Sequence, residues 1–299
     1  QIRETPNGFL WLIANQQIYC FDRRLERFVP IHYAGKKDED TRVQDVLIQN
    51  DSSFWSLSYD NLSLVSVDYV KDKTGNIKEV SLKVEMEFAS LVDEGTNFLA
   101  FCQSPDGIIY IGTDWGNILA FDPASYTVLN KGDLPKVKKI HINRLLYSEG
   151  YVWISTWANG AIRYNPVLDT YSQYTYDPKN KKNSLSHWDV YEIVPLSNGR
   201  YLTATWNGYA ILIPDKEDPT QYSTEVYNNT ASQLHRNLET RMISAYYDAD
   251  GLLWIGTQGG GVYSSDLRKQ FYQRFHQDTH NEICAMTTDK ENHIWLATF

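Results

Sequence analysis

The sequence is poor in cysteine and has no long apolar run. Its 299 residues include only three cysteines, Cys20, Cys102 and Cys284, each inside an apolar stretch. This odd number favours small buried side chains over a disulfide framework or a metal site, and no cofactor is expected. No run of 18 apolar residues occurs and the first residues do not resemble a signal peptide, so any membrane contact is expected through segments outside this sequence.

Basic residues are also scarce. There are 28 Lys and Arg against 37 Asp and Glu, the net charge is −9, and the longest basic cluster is KNKK at 179–182. This distribution argues against nucleic acid as a partner. His-Glu-x-x-His, Gly-x-Ser-x-Gly and phosphate-loop motifs are absent as well, so no catalytic residue is predicted. With 42% hydrophobic residues and only 17 glycines and 10 prolines, the chain is expected to be globular.

A short segment resembling Trp-Ile-Gly-Thr occurs seven times, at spacings of 41 to 55 residues. The copies are WLIA (11–14), WSLS (55–58), YIGT (110–113), WIST (153–156), LTAT (202–205), WIGT (254–257) and WLAT (295–298). The mean period of about 47 residues is the size of one four-stranded propeller blade. Tight-turn sequences such as PDG (105–107) and SNG (197–199) precede the copies, and further apolar stretches flank them.

This pattern predicts an all-β fold, a β-propeller of four-stranded blades. Seven blades are favoured, and a six-bladed closure is the alternative. We expect one propeller region over 1–299, with partial blades at 1–40 and 277–299, as a fragment of a larger protein. Residues 67–88 are predicted to form one elongated hairpin that turns at 74–76.

Two features of the repeated segment indicate how blades pack. Its aromatic residue, such as Trp153 or Trp254, is expected in the core between blades. The third residue of the segment is small in five copies, which allows neighbouring blades to approach closely. The small residues are Gly112, Ser155, Ala204, Gly256 and Ala297.

Residues 177–208 (DPKNKKNSLSHWDVYEIVPLSNGRYLTATWNG) and 248–266 (DADGLLWIGTQGGGVYSSD) resemble the propeller repeats of Bacteroidetes-type hybrid two-component sensors. The matching residues are 177–178, 184–186, 250–257 and 259–261. The resemblance implies a periplasmic sensor region of an inner-membrane histidine kinase, with two seven-bladed propellers and an immunoglobulin-like domain. It further implies a homodimeric receptor that controls carbohydrate-utilisation genes.

Turns after the repeated segments are expected on one face of the propeller, which we call the upper rim. They contain three tryptophans, Trp115, Trp157 and Trp206, together with Asn159, Asn207 and Gln258. Exposed indole rings beside amides are suited to stacking on sugar rings, which favours an oligosaccharide ligand. The alternative is that these rings pack under loops or against another domain.

Four further candidates lie near the predicted starts of inner strands, at the channel mouth on the same face. They are Arg144, His187, Trp188 and Arg241. An arginine there is able to bind a carboxylate or sulfate, and a salt bridge to one of the chain's own acids is the alternative.

Two other functions fit a propeller. One is an enzyme similar to the streptogramin lyases or another glycan-active enzyme, which requires His and Glu to converge at the channel mouth. The other is a protein-interaction propeller, because fold alone does not determine function.

Overall fold

The computed structural model contains only β-strands in the residues that it describes, arranged in seven sheets around a ring. The described residues are 1–34, 42–89, 91, 96–133, 140–180, 183–228, 241–267, 271–275, 283–289 and 293–298. None of them belongs to a helix with the length and apolar character needed to cross a membrane. The predicted all-β propeller is therefore confirmed.

The first three sheets are blades 1 to 3. Blade 1 contains β1 (Ile2–Glu4), β2 (Phe9–Ala14), β3 (Gln17–Asp22) and β4 (Arg27–Val29). Blade 2 contains β5 (Ile31–Tyr33), β6 (Asp45–Asn50), β7 (Ser53–Leu57), β8 (Leu62–Lys71) and β9 (Ile77–Phe88). Blade 3 contains β10 (Phe98–Gln103), β11 (Ile109–Thr113), β12 (Asn117–Asp122) and β13 (Thr127–Asp133).

Blades 4 to 6 and a two-stranded sheet follow. Blade 4 contains β14 (His141–Ser148), β15 (Tyr151–Trp157), β16 (Ala161–Asn165) and β17 (Thr170–Tyr174). Blade 5 contains β18 (Val190–Pro195), β19 (Tyr201–Thr205), β20 (Gly208–Pro214) and β21 (Tyr222–Tyr227). Blade 6 contains β22 (Met242–Tyr247), β23 (Leu252–Thr257), β24 (Gly261–Asp266) and β25 (Phe271–Phe275), and the two-stranded sheet contains β26 (Ile283–Thr288) and β27 (Ile294–Thr298).

The described residues thus form six complete blades, the number predicted from the sequence as the alternative to seven. The two-stranded sheet lies between blades 6 and 1. Phe21 of blade 1 packs edge-to-face on Trp295 at a centroid distance of 5.5 Å. The predicted partial blade at 1–40 is wrong, because Ile2–Glu4 pairs with β2 as an inner strand and completes blade 1. Three residues are too short a segment to show strand periodicity.

The repeated segments form the second strand of each sheet, counted from the ring centre. All five residues of β11 and of β19 are buried, because neighbouring blades cover both faces of these strands. Trp153 is fully buried, as predicted. The prediction is wrong for Trp254, which is half-buried because its indole Nε1 reaches the turn and donates to Asp248 Oδ2 at 2.9 Å.

Neighbouring blades approach closely at the small residues of the second strands. A Cβ atom on Gly112 would lie 2.7 Å from Cδ1 of Ile142 in blade 4. Ser155 Oγ donates to the carbonyl oxygen of Tyr191 in blade 5 at 3.3 Å. A larger side chain at these positions would separate the sheets, so the packing predicted for them is confirmed.

Inner strands share a register shift near their start, which the sequence does not reveal. In blades 3 to 6 and in the two-stranded sheet, one residue of the inner strand has no opposite residue on the second strand. These residues are Leu99, Asn143, Tyr191, Ile243 and Cys284. Such bulges turn side chains out of the sheet, here where the chain leaves the upper rim.

Blade 2 differs from the others in having five strands. Its long hairpin, β8 and β9, turns at residues 72–76, where Asp72 Oδ1 accepts hydrogen bonds from Thr74 and Asn76. This confirms the predicted hairpin and extends it back to Leu62. The extra strand β5 pairs in parallel with the outer strand β9.

The cysteines are free, and two of them have the small buried side chains that were predicted. Burial raises the pKa of Cys20 to about 12 and raises that of Cys102 further, so both remain thiols. Cys284 differs, because the bulge of β26 leaves it only half-buried beside the ring centre.

Candidate functional site

The upper rim is built by the turns that follow the second strands. In blades 4 and 5 these turns contain Gly160 and Gly208 with φ of 73° and 82°. A Cβ atom on either glycine would overlap a backbone oxygen of its own outer strand. Glycine is therefore required here, and the tight turn places the preceding tryptophan, Trp157 or Trp206, at the end of the second strand.

The three predicted tryptophans do not have the same environment. Trp115 and Trp157 are 49% and 53% exposed, which leaves their rings open to solvent. Trp206 is half-buried, because the Arg241 guanidinium lies 3.8 Å from its ring centroid. The expectation that all three rings are exposed is thus wrong for Trp206, because Arg241, at the start of blade 6, covers its ring.

The Trp157 turn is joined to the segment that leads into blade 5. The backbone nitrogen of Ala158 donates to Asp189 Oδ1 at 2.8 Å, and that of Gly160 donates to the carbonyl oxygen of Trp188 at 2.8 Å. The His141 ring stands edge-on to Trp157 at a centroid distance of 5.5 Å. These contacts bring Trp157 and Trp188 to one part of the rim.

His187 and Trp188 lie in the segment that leads into blade 5, and the rings of both lie near that of Tyr176. Trp188 is 45% exposed, and its ring centroid lies 5.4 Å from that of Tyr176. The Asp189 backbone nitrogen donates to His187 Nδ1 at 3.1 Å. In the neutral ring this places the proton on Nε2, which is then a hydrogen-bond donor.

The Ser-Leu-Ser stretch at 184–186 anchors this segment. Ser184 Oγ accepts from the Asp177 backbone nitrogen at 2.8 Å, and Ser186 Oγ is 2.7 Å from Thr205 Oγ1. Leu185 is buried in the core cluster with Trp153. The Ser-Leu-Ser stretch therefore fixes the position of His187 and Trp188 through packing and hydrogen bonds.

The two predicted asparagines belong to the rim turns. Asn159 Nδ2 donates to the carbonyl oxygen of Trp157 at 3.3 Å, and its own carbonyl oxygen accepts from Gln173. The Asn207 backbone nitrogen donates to Thr205 Oγ1 at 3.1 Å. Both side chains are half-buried and stand beside the tryptophans that precede them.

Arg241, Gln258 and Trp206 come together between blades 5 and 6. Arg241 Nη1 donates to Gln258 Oε1 at 3.1 Å, and the Gln258 backbone nitrogen donates to the Arg241 carbonyl oxygen. The Tyr191 ring is stacked near Trp206 at a centroid distance of 6.3 Å. Burial and the nearby Asp189 charge raise the pKa of Tyr191 against the opposing effect of Arg241, so its hydroxyl remains protonated.

Arg144 does not reach this rim. Its Nη1 pairs with Glu192 Oε1 at 2.6 Å, and its Nη2 donates to the Cys284 carbonyl oxygen across the ring centre. Glu192 Oε2 in turn accepts from the Ala245 backbone nitrogen. Arg144 thus lines a central cavity of about 180 Å³, and the salt-bridge alternative is the one observed for it.

Sequence reasoning missed Tyr176, Asp189 and Tyr191, although all lie in the stretch that resembles sensor repeats. Aromatic and acidic residues flanking His187 are a weak signal, because any of them is compatible with an ordinary strand. The bulge at Tyr191, which turns it toward Trp206, has no sequence signature.

Two further cavities lie near blades 1 and 2 rather than beside Trp157 and Trp188. One of about 360 Å³ reaches the upper rim, because its lining includes Ser58 and Asp60 of the turn that follows the second strand of blade 2. The other, of about 770 Å³, lies near Arg24, Lys71 and His293. In the part of the chain that the structure describes, no three His, Cys, Asp or Glu side chains are grouped to hold a metal ion. The arrangement at the rim is instead suited to stacking and hydrogen bonding on an open surface.

No family model and no curated protein matches this chain. Among solved structures it is similar to the extracellular domain of the candidate hybrid two component system BT3049 from B. thetaiotaomicron, with a TM-score of 0.52 and 19% identity. That match covers 100% of this chain and 42% of the other. The extracellular domain of BT4673 from the same organism gives a TM-score of 0.43 and 15% identity. That match covers 100% of this chain and 49% of the other.

The similarity to BT3049 shows a shared propeller fold. This is the fold that the resemblance to hybrid two-component sensors implies, and that prediction is confirmed. The chain spans less than half of the BT3049 domain.

Proposed function

We propose that this chain is the ligand-sensing, extracytoplasmic part of a hybrid two-component sensor and that its upper rim binds an oligosaccharide. The observation that carries the proposal is the pair of open indole rings, Trp157 and Trp188, held beside the Asp189 carboxylate by backbone hydrogen bonds. Sugar rings present C–H faces that pack on such rings.

Polar groups beside these rings can recognise hydroxyls. His187 Nε2 is a donor in the neutral ring, and the Asn159 amide offers both a donor and an acceptor. Tyr191 supplies a protonated hydroxyl. A site of a few directional polar groups among aromatic rings binds a ligand in one orientation without requiring catalysis.

The wider role rests on the sensor-like repeats in 177–208 and 248–266 and on the fold shared with BT3049. In this role the chain lies in the periplasm as part of a homodimeric inner-membrane histidine kinase. Saccharide binding then signals to carbohydrate-utilisation genes, and the chain does not transform its ligand.

The test is titration calorimetry of the purified chain with plant, host and microbial oligosaccharides. We expect Trp157→Ala and Trp188→Ala to lower affinity by about tenfold or more each, from lost stacking and apolar contact. Their stability should stay within about 0.5 kcal/mol of the parent, because both rings are exposed. Trp153→Ala is the control, and burial of its ring predicts a loss of about 3–5 kcal/mol.

Two outcomes would contradict the proposal. If Trp157→Ala destabilises the protein as much as Trp153→Ala, the ring is structural and the rim is not the site. If the chain shortens or unsaturates a glycan reproducibly, and a His187 variant abolishes this, the protein is an enzyme.

A further inference from the structure

Arg241 is a half-buried cation with an unusual environment. Its guanidinium carbon lies over the Trp206 ring, 3.8 Å from the ring centroid, and Nη1 donates to the Gln258 amide oxygen. Both neighbours are uncharged. The stack holds the guanidinium in place at the rim without neutralising it.

Among the other partly buried arginines of the described chain, Arg200 donates to Ser197, and three are neutralised by acids. These pairs are Arg3 with Asp45 at 3.0 Å, Arg23 with Asp289 at 2.8 Å, and Arg144 with Glu192 at 2.6 Å. Arg241 pairs with no carboxylate among the residues that the structure describes. Arg163 also lacks one there, but it is only 5% exposed and is enclosed by Tyr151, Trp153 and Tyr222, so no ligand can reach it.

The contacts that Arg241 makes with described residues leave most of its hydrogen-bonding edge available. A guanidinium has five N–H donors in one plane, and stacking on an indole uses the face of that plane. One donor is directed to Gln258. The remaining edge matches the two oxygens of a carboxylate or sulfate, which form short, charge-assisted hydrogen bonds with such a fork.

We propose that Arg241 binds an anionic substituent, a carboxylate or a sulfate, and that the upper rim therefore selects an acidic oligosaccharide. This inference rests on the proposed function and adds the ligand class. The acidic group lies against Arg241 between blades 5 and 6. The neutral sugar rings extend toward Trp157 and Trp188, on the side where Asp189 would repel an anion.

The test uses the full 299-residue chain labelled with 5-fluorotryptophan, whose Trp206 resonance is assigned with Trp206→Phe. Probes are uronic acid oligosaccharides with their methyl esters and sulfated oligosaccharides with their desulfated counterparts, followed by ¹⁹F NMR and calorimetry. We expect the acidic member of a pair to bind about tenfold or more tightly and to shift the Trp206 signal. Arg241→Gln should abolish that preference, and Arg241→Lys should restore part of it.

Arg200→Gln is the matched control, because it removes the same charge from a turn outside the rim, where the Arg200 guanidinium donates only to Ser197 among the described residues. It should keep the preference for acidic ligands. The inference is overturned if no acidic probe binds more tightly than its neutral counterpart, or if Arg241→Gln retains the preference. Neutral saccharides that still bind through Trp157 would then leave the proposed function standing, whereas a complete lack of saccharide binding would remove both.

Discussion

Single residues connect the repeat motif to the turns of the sheet. In blade 6 Asp248 accepts hydrogen bonds from the Leu252 backbone nitrogen and from Trp254 Nε1. Asp289 makes the same two bonds, to His293 and Trp295, in the two-stranded sheet. The aspartate six positions before the tryptophan therefore accepts both the backbone hydrogen bond that closes the turn and the hydrogen bond from the indole N–H.

Removing this acid should destabilise blade 6. We expect Asp248→Ala to lower the free energy of unfolding by about 1–3 kcal/mol, because two N–H groups lose their acceptor. Asp248→Asn, which keeps an acceptor oxygen, should lose less. Asp250→Ala, an exposed position in the same turn, is the control in urea unfolding and should change little. Equal effects of Asp248→Ala and Asp250→Ala would show that the side-chain bonds contribute nothing.

At the scale of the strand, close packing between sheets depends on the small residues of the second strands. Gly112 faces the terminal methyl of Ile142, which can rotate away, whereas Gly256 faces both Ser244 and the branched Ile283 side chain. The Cβ and Cγ2 atoms of Ile283 would lie 3.0 and 2.7 Å from a new Cβ atom on Gly256. Gly112 and Gly256 occupy equivalent positions in the repeated segment, but the side chains that face them differ in how easily they can move aside.

This difference predicts unequal costs for the same substitution. Gly256→Ala should lower the free energy of unfolding by about 1–3 kcal/mol through overpacking. Gly112→Ala should cost clearly less, because a terminal methyl group moves more easily than a Cβ branch. Thermal and urea unfolding of the two variants provide the comparison, and a larger loss for Gly112→Ala would refute the packing argument.

For the whole molecule, contact between the two-stranded sheet and blade 1 completes the ring. Arg23 pairs with Glu4 of blade 1 and with the fully buried Asp289 side chain, at 2.8 Å each. Burial alone would raise the pKa of Asp289, but hydrogen bonds from Trp295 and His293 and the Arg23 charge outweigh it and lower that pKa. The ring contact is therefore stronger when Asp289 is ionised.

The sign of this effect predicts acid sensitivity. Because the pKa of Asp289 is lower in the folded state than in the unfolded state, its ionised carboxylate stabilises the fold. This stabilisation is complete above the unfolded-state pKa of about 4 and is lost as the pH falls through the folded-state pKa. Asp289→Asn should cost about 2 kcal/mol at pH 7 and progressively less below about pH 4. Urea unfolding from pH 7 to pH 3 measures this, with the exposed Asp106→Asn as control. A difference from the parent that does not change with pH would exclude the ionised Asp289 as the cause.

Much of the fold follows from the sequence because strand pattern and turn chemistry are local. The repeat period predicts the blades, Thr74–Asn76 predicts the hairpin of blade 2, and the small residues beside Trp153 and Trp254 predict close sheet packing. The inner strand of blade 1 and the extra strand β5 have three residues each, too few for a periodic signal. Strand β5 also depends on a pairing partner, β9, that is distant in the sequence.

The sequence by itself determined the all-β class, the blade unit and the set of tryptophans, arginines and amides near one rim. Only the tertiary structure decided what each of them contacts. Arg144 and Arg241 occupy similar sequence contexts, yet Arg144 meets Glu192 across the channel while Arg241 stacks on Trp206 with no acid in the described residues. The physical reason is that charge neutralisation depends on distances between blades, which a one-residue bulge can change and a repeat pattern does not record.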